Sequence, residues 1–259
     1  MSRALEGKRI AVTGAGRGLG AEIARLAVDR GARVMLIDVV EDGVRALAEE
    51  LGDAARFASC DVSDESSVSR VCAEMVEQLG GVDGLVNNAG IVRLQRLEEV
   101  TLENWNLVLS VNLTGAFLAT KHFGAVMLEQ GSGSIVNISS LASHQPTPTG
   151  GAYSASKAGS NVLARQVAVE WGPRGIRGNA INPGFMRTEF SARFFTDPVV
   201  LAAREALVAS RRIGEASEIA QVAAFLLSDH ASYVNGASVD VDGGYGQMLS
   251  ALAPRPLND

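Results

Sequence analysis

Short apolar, β-branched runs alternate with longer segments of helical period along the whole 259-residue chain, and this alternation restricts the fold more than any other feature. Arg9 to Thr13, Arg33 to Asp38, Ala55 to Cys60, Gly84 to Asn87, Ser134 to Ile138, Ile176 to Ile181 and Ser238 to Val241 read as strands. Between them the spacing predicts helices over Leu19–Arg30, from Ser63-Asp64 onward, and over about Thr101–Leu128, Tyr153–Trp171, Pro198–Arg211 and Ala216–Leu227. Strands joined in this way run parallel with right-handed crossovers, because each return must span the whole sheet. The strands are apolar without clean alternation, as expected when helices cover both faces. The expected fold is therefore α/β: a doubly wound parallel sheet in three α/β/α layers, one domain over residues 1–259.

Composition removes several classes of function. With 23 Lys+Arg against 29 Asp+Glu and a net charge of −6, there is no basic field to collect nucleic-acid phosphates. Apolar runs are broken by Gly, Asp or Arg before the roughly 20 residues of a membrane span. The start, Met1 to Lys8, is polar and leads straight into a strand, so no secretory leader and a cytoplasmic location are expected. Cys60 and Cys72 make neither a disulfide framework nor a zinc spacing, and read as buried thiols in a reducing compartment. No His/Cys/Asp/Glu cluster has ligand spacing, so no metal is expected.

Thr13-Gly14-Ala15-Gly16-Arg17-Gly18-Leu19-Gly20 lies between the first strand and the first helix. Side chains there would obstruct a pyrophosphate, while the helix amino terminus offers free N–H groups and a positive dipole end. Position and composition together point to a dinucleotide, and the sheet becomes Rossmann-type. Gly14, Arg17, Gly18, Leu19 and Gly20 are the candidate contacts. Asp38 ends the second strand, twenty positions after Gly18. A carboxylate there accepts hydrogen bonds from the ribose hydroxyls and repels a 2′-phosphate, which favours NAD over NADP. Arg17 opposes that choice, since a guanidinium can pair with a 2′-phosphate, but it can also swing into solvent.

Tyr153 and Lys157 are four residues apart at the start of a helix, on one face. A lysine ammonium beside a tyrosine favours the phenolate and draws its pKa towards the working range. Ser139-Ser140 follows the fifth strand, Asn87-Asn88-Ala89-Gly90 closes the fourth, and Asn112 lies in the long helix between them. These motifs, in order and spacing over about Leu5 to Tyr245, resemble the short-chain dehydrogenase/reductase family in its single-domain form of about 250 residues.

The resemblance implies that Tyr153 is the general acid/base, with Lys157 lowering its pKa and binding the nicotinamide ribose. Ser140 would hold the substrate oxygen; it is chosen over Ser139 because its thirteen-residue lead on Tyr153 matches the family pattern. Asn112 would anchor a water linking Lys157 to solvent, which requires a local opening of helical hydrogen bonding. Asp61 and Val62 would flank the adenine. Asn88, Ala89 and Gly90 would line the cofactor, together with Pro183 and Gly184, and Thr188 would meet the carboxamide. Hydride would pass between nicotinamide C4 and a secondary alcohol carbon. Gly178 departs from the family pattern, which has a β-branched residue there, and invites a close approach by a neighbour.

Residues from about Phe185 to Ile213 are expected to form a substrate lid and about 247–259 a C-terminal tail; its last stretch, Ala253 to Asp259, has two prolines that make it extended, free or reaching a neighbouring subunit. The lid's Phe185, Phe190, Phe194 and Phe195 suit a hydrophobic alcohol or ketone; packing within the lid or at a subunit contact is the equal alternative. Arg187, Arg193, Arg204, Arg211 and Arg212 keep an acidic or acyl-thioester substrate open. His144 reads as a solvent-facing loop residue. The expected protein is an NAD-dependent oxidoreductase for a small alcohol or ketone, a homotetramer by family resemblance. The alternatives are an NADPH-dependent 3-oxoacyl thioester reductase and a non-catalytic nucleotide-sensing protein.

Overall fold

The computed structural model describes residues 3–188 and 196–252. Its strands are β1 (Arg9–Thr13), β2 (Arg33–Asp38), β3 (Ala55–Ser59), β4 (Gly84–Asn87), β5 (Gly133–Ile138), β6 (Ile176–Pro183), β7 (Met186–Arg187), β8 (Gly214–Glu215) and β9 (Ser238–Val241). Its helices are α1 (Gly18–Asp29), α2 (Glu41–Leu51), α3 (Glu65–Leu79), α4 (Leu102–Leu109), α5 (Gly115–Gln130), α6 (Gly151–Trp171), α7 (Pro198–Leu207) and α8 (Ala216–Leu227). Seven strands form one parallel sheet in the order β3-β2-β1-β4-β5-β6-β9, and β7 and β8 pair as a separate two-stranded ribbon.

The central strands bury both of their faces. In β2, Val34 and Leu36 enter the core shared with α1, α2 and α8, while Met35 and Ile37 enter the core shared with α3, α5 and α6. Ile10 and Val12 of β1 join the first of these cores and Ala11 the second. Period-two alternation is thus present in side-chain direction but invisible in polarity, which is why the strands read as unbroken apolar runs. Chain order reverses between β1 and β4, and their carboxyl ends open a crevice at that switch point.

Local chemistry sets most boundaries. Asp64 caps α3 by accepting the Ser66 N–H at 3.0 Å, and Gly80, at φ +86°, ends it in the left-handed conformation. The long helix expected over 101–128 is instead two helices, α4 and α5, joined by a π-helical turn at Ser110–Thr114. Helix α7 stops at Leu207, short of the expected Arg211, because Val208 turns to extended backbone and buries its side chain. The spacing did not reveal α2. Its N-cap residue, Val40, offers no side-chain cap and Gly43 lies in its first turn, so it shows little start signal.

Gly178 answers the departure noted in the sequence. A Cβ there would stand 2.5 Å from the Ala164 carbonyl oxygen and 2.7 Å from Val167 Cβ, so glycine lets α6 lie directly on β6. A short helix covers Tyr245–Leu252, and the stretch from Ala253 to Asp259, expected to be extended, lies outside the described residues. No helix among the described residues is long and apolar enough to cross a membrane.

Candidate active site

A cleft of about 870 Å³ opens where the strands end, with the glycine turn at one end and Ser140, Tyr153 and Lys157 in the same wall. Gly14, at φ +65°, and Gly18, at φ +58°, adopt backbone that L side chains resist. A Cβ on Gly14 would meet Ala89 Cα at 2.9 Å, and one on Gly18 would lie 4.0 Å from Thr188 Cβ. The turn is therefore a bare cradle beneath Thr188, with exposed Arg17 on its rim. A dinucleotide pyrophosphate fits a backbone surface of this kind.

Gly20 serves the cradle differently from the sequence expectation, and Asn88 does more than line the cleft. Gly20 does not face the cleft. A Cβ there would stand 2.2 Å from the Gly14 carbonyl oxygen, so its bareness lets α1 start directly behind the turn. The Asn88 amide donates to the Thr13 and Gly14 carbonyls, both at 3.0 Å, and the Thr13 hydroxyl accepts the Asn88 and Ala89 N–H groups at 3.0 and 3.1 Å. The end of β4 is thereby tied to the end of β1. Asn88, Ala89, Gly90, Pro183 and Gly184 line the cleft as expected from the sequence.

Asp38 also lines the cleft, with its carboxylate already oriented. One oxygen accepts the Gly16 N–H at 3.0 Å and the other the Val40 N–H at 3.1 Å. Asp61 and Val62 border the same end; Asp61 Oδ1 accepts the Ser63 N–H and hydroxyl at 2.9 and 2.7 Å. No sequence signal marks Gly43, which lines this end. A Cβ there would lie 2.9 Å from the Gly16 carbonyl oxygen, so α2 rests on the glycine turn.

At the opposite end, Ser139 and Ser140 separate clearly. Buried Ser139 gives its hydroxyl to the Lys157 carbonyl at 2.8 Å, whereas Ser140 faces the cleft and hydrogen-bonds the Tyr153 hydroxyl. Lys157 is buried, and its Nζ donates to the Ile138 carbonyl at 2.8 Å, 5.7 Å from the Tyr153 ring centroid. Asn112 sits behind this wall in the π-turn, at 2% exposure. Its Oδ1 accepts the Ile91 N–H at 2.8 Å, and its Nδ2 donates to the Ile91 carbonyl at 2.9 Å and to Ser156 Oγ at 3.1 Å.

The electrostatics differ from the expectation at Tyr153. Burial pushes the phenol up from its ordinary value, and the Ser140 hydrogen bond only partly opposes that. The expected lowering by Lys157 is absent because its ammonium is directed at the Ile138 carbonyl. Burial pulls Lys157 itself down to about 8 from 10.5.

A stability prediction follows, with its sign fixed by linkage. Between about pH 8 and 10.5 the unfolded chain holds a Lys157 proton that the folded one has lost, so stability rises with pH there; below 8 the burial penalty is complete. Lys157→Met should therefore stabilise the ligand-free protein at pH 7, by at most about 3 kcal/mol, with the gain shrinking towards pH 10. Urea unfolding of both proteins at pH 7 and 9.5 checks this, and a gain that grows with pH would contradict it.

The substrate end is bordered by Leu94, Leu141, Phe185, Met186 and Tyr245, with Gln145 and Thr149 adding polar groups. The Phe185 and Tyr245 rings stack at 4.6 Å, and the Arg204 guanidinium covers Phe185 at 5.3 Å. Tyr245 carries no local signal of this role, since its partner lies sixty residues away. Phe190, Phe194 and Phe195 fall outside the described residues. His144 does not line the cleft; its Nε2 lies 3.3 Å from Asp240 Oδ2.

A family model described as enoyl-(acyl carrier protein) reductase matches residues 14–246. The chain is 40% identical over 244 residues to a D-threitol dehydrogenase of Mycolicibacterium smegmatis, spanning 93% of this chain and 94% of that protein. It is 41% identical over 246 residues to a galactitol 2-dehydrogenase (L-tagatose-forming) of Cereibacter sphaeroides, spanning 93% and 96%. Among solved structures, a Beutenbergia cavernae protein assigned as an NAD(P)-dependent gluconate 5-dehydrogenase, with NADP at low occupancy, superposes with a TM-score of 0.90. It is 38% identical, over 95% of this chain and 100% of that one.

Proposed function

The chain belongs to the short-chain dehydrogenase/reductase family and is a dehydrogenase of CH–OH groups; from that premise we propose that it interconverts a small secondary alcohol and its ketone with NAD, Tyr153 moving the proton. The observation that carries this reading is the shared cleft, which sets Ser140, Tyr153 and Lys157 opposite a bare glycine cradle beside an oriented Asp38. NAD, when bound, supplies the hydride acceptor. Gly14, Arg17, Gly18 and Leu19 would hold its pyrophosphate, Asp38 the adenosine ribose, Asp61 and Val62 the adenine, and Ala89, Gly90, Pro183, Gly184 and Thr188 the remainder. Asn88 and Gly20 would act by shaping the cradle.

Ser140 and Tyr153 are hydrogen-bonded to each other, so an alcohol oxygen inserted between them meets both hydroxyls. Tyr153 accepts the alcohol proton in oxidation and returns it in reduction. Burial disfavours the phenolate that oxidation needs, and the Ser140 hydroxyl partly offsets that cost. Asn112, in the π-turn, would anchor a water that links Lys157 to solvent and takes the proton onward. The Phe185–Tyr245 stack beside Leu94 and Leu141 favours a substrate with an apolar body.

Nicotinamide absorbance, followed over a panel of polyols, cyclic alcohols and their ketones with NAD(H) and NADP(H), tests the reading; silence across the panel would sink it. Asp38→Ala removes the charge that would repel a 2′-phosphate. The ratio of kcat/KM for NAD over NADP should fall by about tenfold or more, and an unchanged ratio would place cofactor selection elsewhere. We further propose that the working form is a cytoplasmic homotetramer, a reading to which exposed Phe117, Val162 and Val169 on α5 and α6 lend support.

A further inference from the structure

The structure assigns to Ser156 the role of a positioning residue that locks Asn112 to the backbone of Tyr153. The inference rests on the proposed alcohol–ketone chemistry and extends it to a residue outside the Asn112/Ser140/Tyr153/Lys157 set.

Ser156 is completely buried on α6, three residues after Tyr153 and one before Lys157. Its hydroxyl donates to the Tyr153 carbonyl at 2.7 Å and accepts from Asn112 Nδ2 at 3.1 Å. An amide nitrogen can only donate, so the serine proton is directed at Tyr153 and the chain has one polarity. It runs from Asn112 N–H to the Ser156 hydroxyl to the Tyr153 carbonyl. Ser160, one turn on and also buried, donates to the Ser156 carbonyl at 3.1 Å and approaches the Asn112 carbonyl at 3.5 Å.

The rest of the Asn112 amide is spoken for. Both of its other bonds go to the Ile91 backbone, so the side chain bridges the loop after β4 to α6. A flipped amide would set N–H against N–H at Ile91 and would leave the serine with an acceptor in place of a donor. The bridge passes beside Gly90, where a Cβ would lie 3.3 Å from Asn112 Oδ1 and 3.5 Å from Lys157 Nζ. Asn112 and the Lys157 ammonium thus border the same glycine, and a shift of the amide moves the environment of the ammonium.

A serine that merely satisfied a helix carbonyl would need no second partner. Here the same oxygen is the third anchor of an amide whose other two anchors sit on a different element. Without it, one Asn112 N–H is buried and unpaired, and the Asn112 side chain is tied to the β4 loop alone.

Three variants test the assignment by stopped-flow hydride transfer and by steady-state kinetics across pH, with a secondary alcohol that the parent oxidises. Ser156→Ala should lower kcat about tenfold and displace the acid limb of its pH profile, with KM for NAD within about twofold of the parent. Ser156→Thr, which keeps the hydroxyl, should restore most of the loss. In an Asn112→Ala background, Ser156→Ala should cost no more than about twofold in the hydride-transfer step, because its partner is already gone. Ser156→Cys, close to serine in size but a weak hydrogen-bonder, takes the place of the alanine variant if that protein does not fold.

Parent-like kcat in a folded alanine or cysteine variant would overturn the assignment. So would a threonine variant no better than alanine, or equal losses with and without Asn112. A lowered melting temperature with an unmoved pH profile would make Ser156 structural only. A parent protein inert towards every alcohol would instead refute the proposed reaction, so the two failures are distinguishable.

Discussion

Tyr153→Phe should reduce turnover by about 10³-fold or more while leaving NAD affinity within about twofold. The substitution removes one oxygen and keeps the ring that lines the cleft. The hydroxyl is hydrogen-bonded to Ser140, and the other wall-lining hydroxyl cannot replace it: the Ser140 oxygen also accepts the Ala142 N–H at 3.2 Å, and a serine alcohol is far too weak an acid for the exchange. The cradle lies at the other end of the cleft, so cofactor binding survives. Isothermal titration with NAD, set beside kcat for a secondary alcohol, separates the two effects. Appreciable turnover by the phenylalanine variant would show that the proton leaves by another group.

The second large effect is at Gly20, which never touches the cleft. The methyl of Gly20→Ala would fall 2.2 Å from the Gly14 carbonyl oxygen and 2.6 Å from the Asn88 amide nitrogen. Neither can yield cheaply, because the Gly14 carbonyl belongs to the turn and the amide already bonds two of the turn's carbonyls. The first turn of α1 has to retreat, which breaks the cradle and loosens its tie to β4. We expect a loss of about 1–3 kcal/mol of stability and at least about 100-fold weaker NAD binding. Thermal melts with and without NAD measure both. Unaltered binding would mean that the helix start tolerates the shift.

The sequence made much of this legible for identifiable reasons. Strands buried on both faces show as apolar runs, glycine turns between strand and helix are local, and Tyr153 and Lys157 share a helix face by simple spacing. What it hid depends on distant contacts. Gly43 reads as a weak residue in a weak helix until α2 is seen resting on Gly16. Asn88 lines the cleft as its position suggests, but that its amide ties Thr13 and Gly14 to the end of β4 shows only in the fold. The direction in which Tyr153 is shifted follows from burial and from where the Lys157 ammonium points, and four-residue spacing encodes neither.

The cleft draws its walls from widely separated stretches of chain, and this has a consequence for synthesis. The cradle, Asp38 and the Asn88 tie are all in place once the chain has reached Gly90. Tyr153 and Lys157 come more than sixty residues later, and Tyr245, which stacks on Phe185, is made almost last. A nascent chain emerging from the ribosome therefore holds the residues for gripping a nucleotide long before it holds those that enclose an alcohol. Because β9 pairs only with β6, the final edge of the sheet also waits for the last strand.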